Sequence, residues 1–322
     1  MAYILNDPSI FDIQSDVEMG LDPYNIYYLS VGNKIYERDF LAVKWKVSNG
    51  SIDEKIIRDT ISLGNLDCLK YLRKQGYVWE EIICSGAASY GHLGCLRYAI
   101  ENGCPWDAWI SVYTAQNGHL ECLKYVHEQG CLWDERICEF AAQNGHLDCL
   151  QYLHEEGCPW NSITCKEAAS GGHLNCLIYA HEEGCEWDKK TCSYAALYGN
   201  VDCLIYAHEN GCEWSKKTCL YAAGNGYLDC LIYAHTEGCE WDSDTCSEAA
   251  SCGHLDCLVY AHEEGCPWDE RTCRYAAIGG HLDCLIYAIK NGCPYRNNIC
   301  AYARAPEIIQ YLQSKGFKGQ SI

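Results

Sequence analysis

The chain has 322 residues, 48% of them hydrophobic and 21% charged, and a formal charge of −20. It can bury a substantial core, and its acidity excludes nucleic acid and anionic membranes as partners without a local basic patch, which the sequence lacks. No apolar run approaches the roughly 20 residues needed to span a bilayer, and MAYILNDPSIFDIQSD lacks the basic start and apolar stretch of a secretory signal; a reducing cytoplasm is expected, with the 26 cysteines as free thiols.

Residues 1–52 stand outside the pattern that organises the rest. They mix apolar residues at helical intervals with a Leu-Asp-Pro turn, and are expected to form a helical cap over the exposed end of a repeat array. Leu21-Asp22-Pro23 followed by Ile26, Leu29, Val31 and Lys34 resembles the middle of an F-box, although Asp7-Pro8 stands where Leu-Pro would open that motif. The resemblance implies docking on Skp1 through Leu21, Pro23, Ile26 and Leu29, and hence a substrate adaptor of a cullin ubiquitin ligase.

From residue 53 onward the chain repeats. Gly76, Gly103, Gly130, Gly157, Gly184, Gly211, Gly238, Gly265 and Gly292 recur every 27 residues without a slip, the mark of stacked repeats. About ten units fit between Asp53 and Ile322, the last shortened and expected to serve as a C-terminal cap. Each unit predicts two helices. Asp134, Asn161, Asp188, Ser215, Asp242 and Asp269 stand where a helix N-cap is needed, and Trp187 with Cys192 has the spacing of a hydrophobic staple around that cap. The first helix, T-C-x-x-A-A, ends at the glycine of a G-H-L turn; the second, L-D-C-L-x-Y-A-H-E, ends at the periodic glycine, a left-handed C-cap. Helices of about ten residues are not stable alone in water, so the fold must come from stacking unit on unit.

The stretch A-A-x-x-G-H-L-D-x-L-x-Y-L in units such as 141–153 resembles the ankyrin family, over residues 53–316. The resemblance implies an all-α, right-handed solenoid of helix-turn-helix repeats. Ankyrin units run about 33 residues and open with T-P-L-H; here the connector shrinks to G-C-P/E-W, so the projecting finger is expected to be a tight loop. Short repeats of this G-C-x-W-D type look like those of large DNA viruses and protists, which would make the compartment a host cytoplasm for a viral protein.

The density of cysteine and histidine, as in CGHLDCLVYAHEEGC, raises a zinc- or redox-responsive thiol protein as a reading of another class. Ligands of a site should come and go together, and these do not. The turn histidine (His92, His119, His146, His173, His254, His281) becomes Asn65, Asn200 and Tyr227 elsewhere, and the second column (His127 through His262) becomes Arg73, Ile100 and Ile289 while neighbouring cysteines persist. The cysteines are therefore expected as buried packing residues, His127 and its equivalents as partly cationic rings at a helix end, and neither metal nor cofactor is expected.

Function is expected on the positions that vary. They lie three and four apart on one face of the first helices: Glu139, Phe140 and Gln143; Lys166, Glu167 and Ser170; Ser193, Tyr194 and Leu197; Leu220 and Tyr221; Arg274, Tyr275 and Ile278. Tyrosine, leucine, phenylalanine and arginine among small residues suit a protein-contact surface. Glu155, Glu156, Glu182, Glu183, Glu263 and Glu264 form a second, acidic surface, read as a solubility device, with a basic partner as the alternative. No nucleophile and base, phosphate loop or carboxylate dyad breaks the register. The sequence reads as a monomeric, non-catalytic scaffold for a protein partner.

Overall fold

The computed structural model describes Lys44 and residues 54–317; the cap, and the docking residues Leu21, Pro23, Ile26 and Leu29, lie outside the described residues. Among the described residues there are nineteen α-helices and no strand. They fall into two compact units divided between Trp133 and Asp134. The first holds three helix pairs: α1 (Glu54–Ser62) with α2 (Leu66–Lys74), α3 (Glu81–Ser89) with α4 (Leu93–Glu101), and α5 (Trp109–Gln116) with α6 (Leu120–Glu128). The second holds six full pairs. These are α7 (Glu135–Gln143) and α8 (Leu147–Glu155), α9 (Ser162–Gly171) and α10 (Leu174–Glu182), α11 (Lys189–Leu197) and α12 (Val201–Glu209), α13 (Lys217–Gly224) and α14 (Leu228–Thr236), α15 (Ser243–Cys252) and α16 (Leu255–Glu263), and α17 (Glu270–Gly279) and α18 (Leu282–Lys290). A 3-10 turn (Ile299–Ala301) and α19 (Pro306–Ser314) close it, the first helix of the last repeat being cut to that turn.

The helices start where the side chains dictate. The Asp134 carboxylate accepts from the Arg136 N–H at 3.1 Å, Asn161 from Ile163 at 2.8 Å and Asp188 from Lys190 at 2.7 Å, as do Asp242 and Asp269 in their units. Ser215 accepts more loosely from Lys217, at 3.3 Å, and its helix opens one residue later. Each second helix ends at the periodic glycine, which takes a positive φ, +81° at Gly157. The connector to the next first helix carries no strand, so the finger is indeed reduced to a tight loop.

Within each unit, first helices pack on first helices more closely than second on second. Paired alanines cause this: Ala141 and Ala142, Ala168 and Ala169, Ala195 and Ala196 are fully buried, and methyl groups let backbones approach. The first unit builds its core from larger residues, Ile56, Ile57, Leu69, Leu72, Ile83, Leu96 and Ile110.

All 26 cysteines are free, and all but Cys252, which is exposed, and Cys300, which is partly so, are buried. Burial pushes the second-helix thiols up, Cys176 to about 11 and Cys203 to about 12, as expected of sulfur used as interior filling.

The histidines behave differently from the expectation. The turn histidine joins its repeat to the one before: Nε2 of His92 donates to the Ser62 carbonyl at 2.9 Å, and that of His119 to Ser89 at 3.0 Å, closing open C-terminal carbonyls of the preceding first helix. Asn200 does the same work, donating to Ala169 and Ser170 at 2.9 and 2.8 Å, which explains why histidine and asparagine interchange there. The second column does sit in a last helical turn, but its rings are held by aromatic contacts. His181 stacks on Trp187 at 3.7 Å, and its Nδ1 lies 3.1 Å from the Tyr206 hydroxyl of the next repeat. Tyr206 in turn meets Trp187 edge-on at 6.1 Å. The same triplet recurs at His154, Trp160 and Tyr179, at His208, Trp214 and Tyr233, and in the two repeats that follow.

Candidate functional site

The tight packing of first helices leaves one flank of that layer for side chains that vary between repeats. In the second unit the structure joins several of them. Gln143 on α7 donates through Nε2 to Glu167 on α9 at 3.0 Å, and Ser170 donates to the same carboxylate at 3.1 Å. Lys166 pairs with Glu167 at 2.8 Å and lies over the Tyr194 ring of α11, 5.0 Å from its centroid. Burial alone would lower the Lys166 ammonium, but the ion pair outweighs it and raises the group above its ordinary value. Glu139 is raised, chiefly by burial, despite the amide of Asn161 beside it.

The other predicted residues divide. Phe140, Leu197, Leu220, Tyr221, Tyr275 and Ile278 are half-buried on this flank, and Gln143 is exposed. Arg274 lies over Tyr275 and, less closely, over Tyr302, centroids 4.9 and 5.9 Å from its guanidinium carbon. With Glu270, Arg296, Ile299 and Tyr302 it lines a crevice of about 10 Å³, room for about one water. Ser193 is 3% exposed and its hydroxyl donates to the Lys190 carbonyl at 3.2 Å, so it presents nothing to a partner. Variation at that position reflects the room left between two helices.

A wider opening on the flank lies in the first unit, at residues the sequence reading did not single out. Ser85, Gly86 and Ser89 occupy the three facing positions of α3 where α7 carries Glu139, Phe140 and Gln143. Three small side chains in a row leave a groove of about 320 Å³. It is walled by Arg58 and Ile61 from α1, by Ile82 and Tyr90, and by Tyr113 from α5. Tyr90 is 55% exposed at its rim. The signal was present in the 27-residue alignment as the one unit whose facing positions are all small.

Among the described residues, no three of His, Cys, Asp and Glu converge where they could hold a metal ion, and no helix is long and apolar enough to cross a membrane. The six glutamates of the acidic surface are all exposed.

No protein-family model matches the sequence, and no curated protein matches it. Among solved structures the chain is similar to the human ASB11 ankyrin repeat domain, at 18% identity and a TM-score of 0.48, over 57% of this chain and 99% of that one. The chain's own repeats, paired helices joined by a glycine turn and packed like on like, give it an ankyrin-like repeat fold.

Proposed function

We infer that the chain is a non-catalytic scaffold that holds a partner protein on the first-helix flank. The observation that carries this reading is the groove at Ser85, Gly86 and Ser89, walled by Ile61, Ile82 and Tyr113 together with Arg58 and rimmed by an exposed tyrosine. A concavity of this volume accepts an anchoring side chain of a partner, and buried anchors dominate the energetics of protein interfaces. The free thiols suit a reducing compartment.

Ser89→Leu tests it. Leu197 holds the equivalent place in α11, so the repeat tolerates leucine there while the groove is filled. Affinity purification with quantitative mass spectrometry should show partners lost from Ser89→Leu and kept by Glu155→Ala/Glu156→Ala on the acidic surface. The reverse pattern would move the site to the acidic surface. The same purification reads the adaptor role: Skp1 and cullin should be recovered with the intact chain and lost with Pro23→Ala/Ile26→Ala. Their absence from the intact chain would remove that role.

A further inference from the structure

Six Asn-Gly pairs close helices among the described residues. Asn117, Asn144 and Asn225 end first helices, and Asn102, Asn210 and Asn291 end second helices. All six asparagines are exposed. Asparagine before glycine is the dipeptide most prone to lose its side-chain amide, because glycine has no side chain to keep its nitrogen from the asparagine Cγ.

In the folded chain each pair is held away from that reaction. The amide Nδ2 donates to the carbonyl of the aromatic residue four positions back, at 2.8 Å for Asn102 and Asn210 and at 2.9 Å for the other four. The asparagine ψ lies between +3° and +20°, which turns the glycine nitrogen toward the asparagine's own nitrogen and away from its side chain. The glycine N–H is itself bonded to a helix carbonyl, at 3.0 Å from Gly211 to His208. Cyclisation therefore requires the turn to open.

The two kinds of turn differ in what opening disturbs. At Gly145 and Gly226 the ring of the next repeat, His173 or His254, fills the place a Cβ would take, and both glycines are half-buried. Gly103, Gly211 and Gly292 are exposed, with nothing within 4 Å of that place.

We propose that Asn102, Asn210 and Asn291 are sites of spontaneous deamidation in the folded protein, and that the histidine of the next repeat protects Asn144 and Asn225. The glycine nitrogen gives its proton to solvent and attacks Cγ; the Cγ–Nδ2 bond breaks, ammonia leaves, and water opens the succinimide to aspartate or isoaspartate. Glutamate already caps the second helix at Glu156, Glu183, Glu237 and Glu264. The fold thus accommodates a carboxylate at this place, and each event adds a charge to the acidic surface.

The test is incubation of the folded full-length protein at mildly alkaline pH in heavy-oxygen water, whose label enters only where the ring is hydrolysed, followed by peptide mass mapping over time. Asn102, Asn210 and Asn291 should convert at least about fivefold faster than Asn144 and Asn225, the factor one net hydrogen bond supplies; in urea all five should convert at similar rates. His173→Ala, its fold checked by far-UV circular dichroism, should bring Asn144 up toward Asn210 and leave Asn225 unchanged. Native rates that match across the five, an order that persists in urea, or an Asn144 rate unmoved in the folded variant overturns the proposal. Should the variant unfold, the native order and its loss in urea decide.

Discussion

Two glycines of one repeat separate backbone strain from contact between repeats. Gly145 and Gly157 both have positive φ, +76° and +81°. Around Gly157 an added Cβ meets nothing within 4 Å, whereas at Gly145 it overlaps the ring of His173 from the next repeat. Alanine at Gly157 therefore costs only the left-handed conformation, about 1–2 kcal/mol. At Gly145 the ring must also leave its place, losing its bond to the Gln143 carbonyl and the packing of a partly buried imidazole. One hydrogen bond and partial apolar burial together are worth about 2 kcal/mol, so Gly145→Ala should cost about 3–4 kcal/mol. Urea unfolding followed by far-UV circular dichroism and tryptophan fluorescence, compared through midpoints and slopes, measures both. In a His173→Ala background the two glycine substitutions should cost the same to within about 0.5 kcal/mol. If Gly145→Ala is no worse than Gly157→Ala, or its excess survives removal of the ring, the glycine is not there for its neighbour and the account of the turn is wrong.

The other expectations concern side chains the repeat exposes to titration or exchange. Burial, with His146 nearby, lowers His173 below the ordinary imidazole value. The folded state then binds fewer protons than the unfolded one below about pH 6.5, and stability should fall as pH drops through that window; His173→Asn should flatten the slope, and an unchanged slope assigns it to other groups. His208→Ala removes the stack on Trp214 and the contact with the Tyr233 hydroxyl and should cost about 1–2 kcal/mol, while His208→Ile should cost less, isoleucine standing at the equivalent Ile100 and Ile289. Equal costs in chemical denaturation would deny the ring its role. A thiol reagent at pH 8 should modify Cys252 at once and Cys300 more slowly, and the other 24 cysteines only on denaturation; many fast thiols in the native protein would contradict their burial.

Local rules carried the sequence reading of the helices, because what decides a helix end lies within a few residues of it. Asp134 caps the N–H two positions on, and Gly157 closes the helix just before it. The role of the second histidine column was not legible for the opposite reason. His181 answers to Trp187 within its own repeat, which a careful reading of spacing could reach, but also to Tyr206 in the next, and no single sequence says which columns face one another across a stacking interface. The contact of the Cys165 thiol with the Cys185 carbonyl was hidden in the same way. Cys165 and Cys185 are separated by both helices of one repeat, and only the return of the connector beneath the first helix brings them together.

The candidate site was half legible, and the missing half follows from how variation was interpreted. Positions that change from repeat to repeat were read as a surface that offers side chains, which drew attention to the tyrosines and charges of α7 through α17. A groove is made by side chains that are not there. Ser85, Gly86 and Ser89 vary from the consensus toward nothing, and their consequence appears only when Ile61 and Tyr113 are seen to stand on either side. Gly86 shows how closely the wall approaches: a Cβ there would come within 2.6 Å of Ile61 Cγ2, nearer than side chains pack, so the smallness that opens the groove is also required by the neighbouring helix. In a repeat fold, where every unit repeats the same backbone, local deletion of bulk is one way for a pocket to arise. Under the proposed function, the repeat with the least to show is the one that receives a partner.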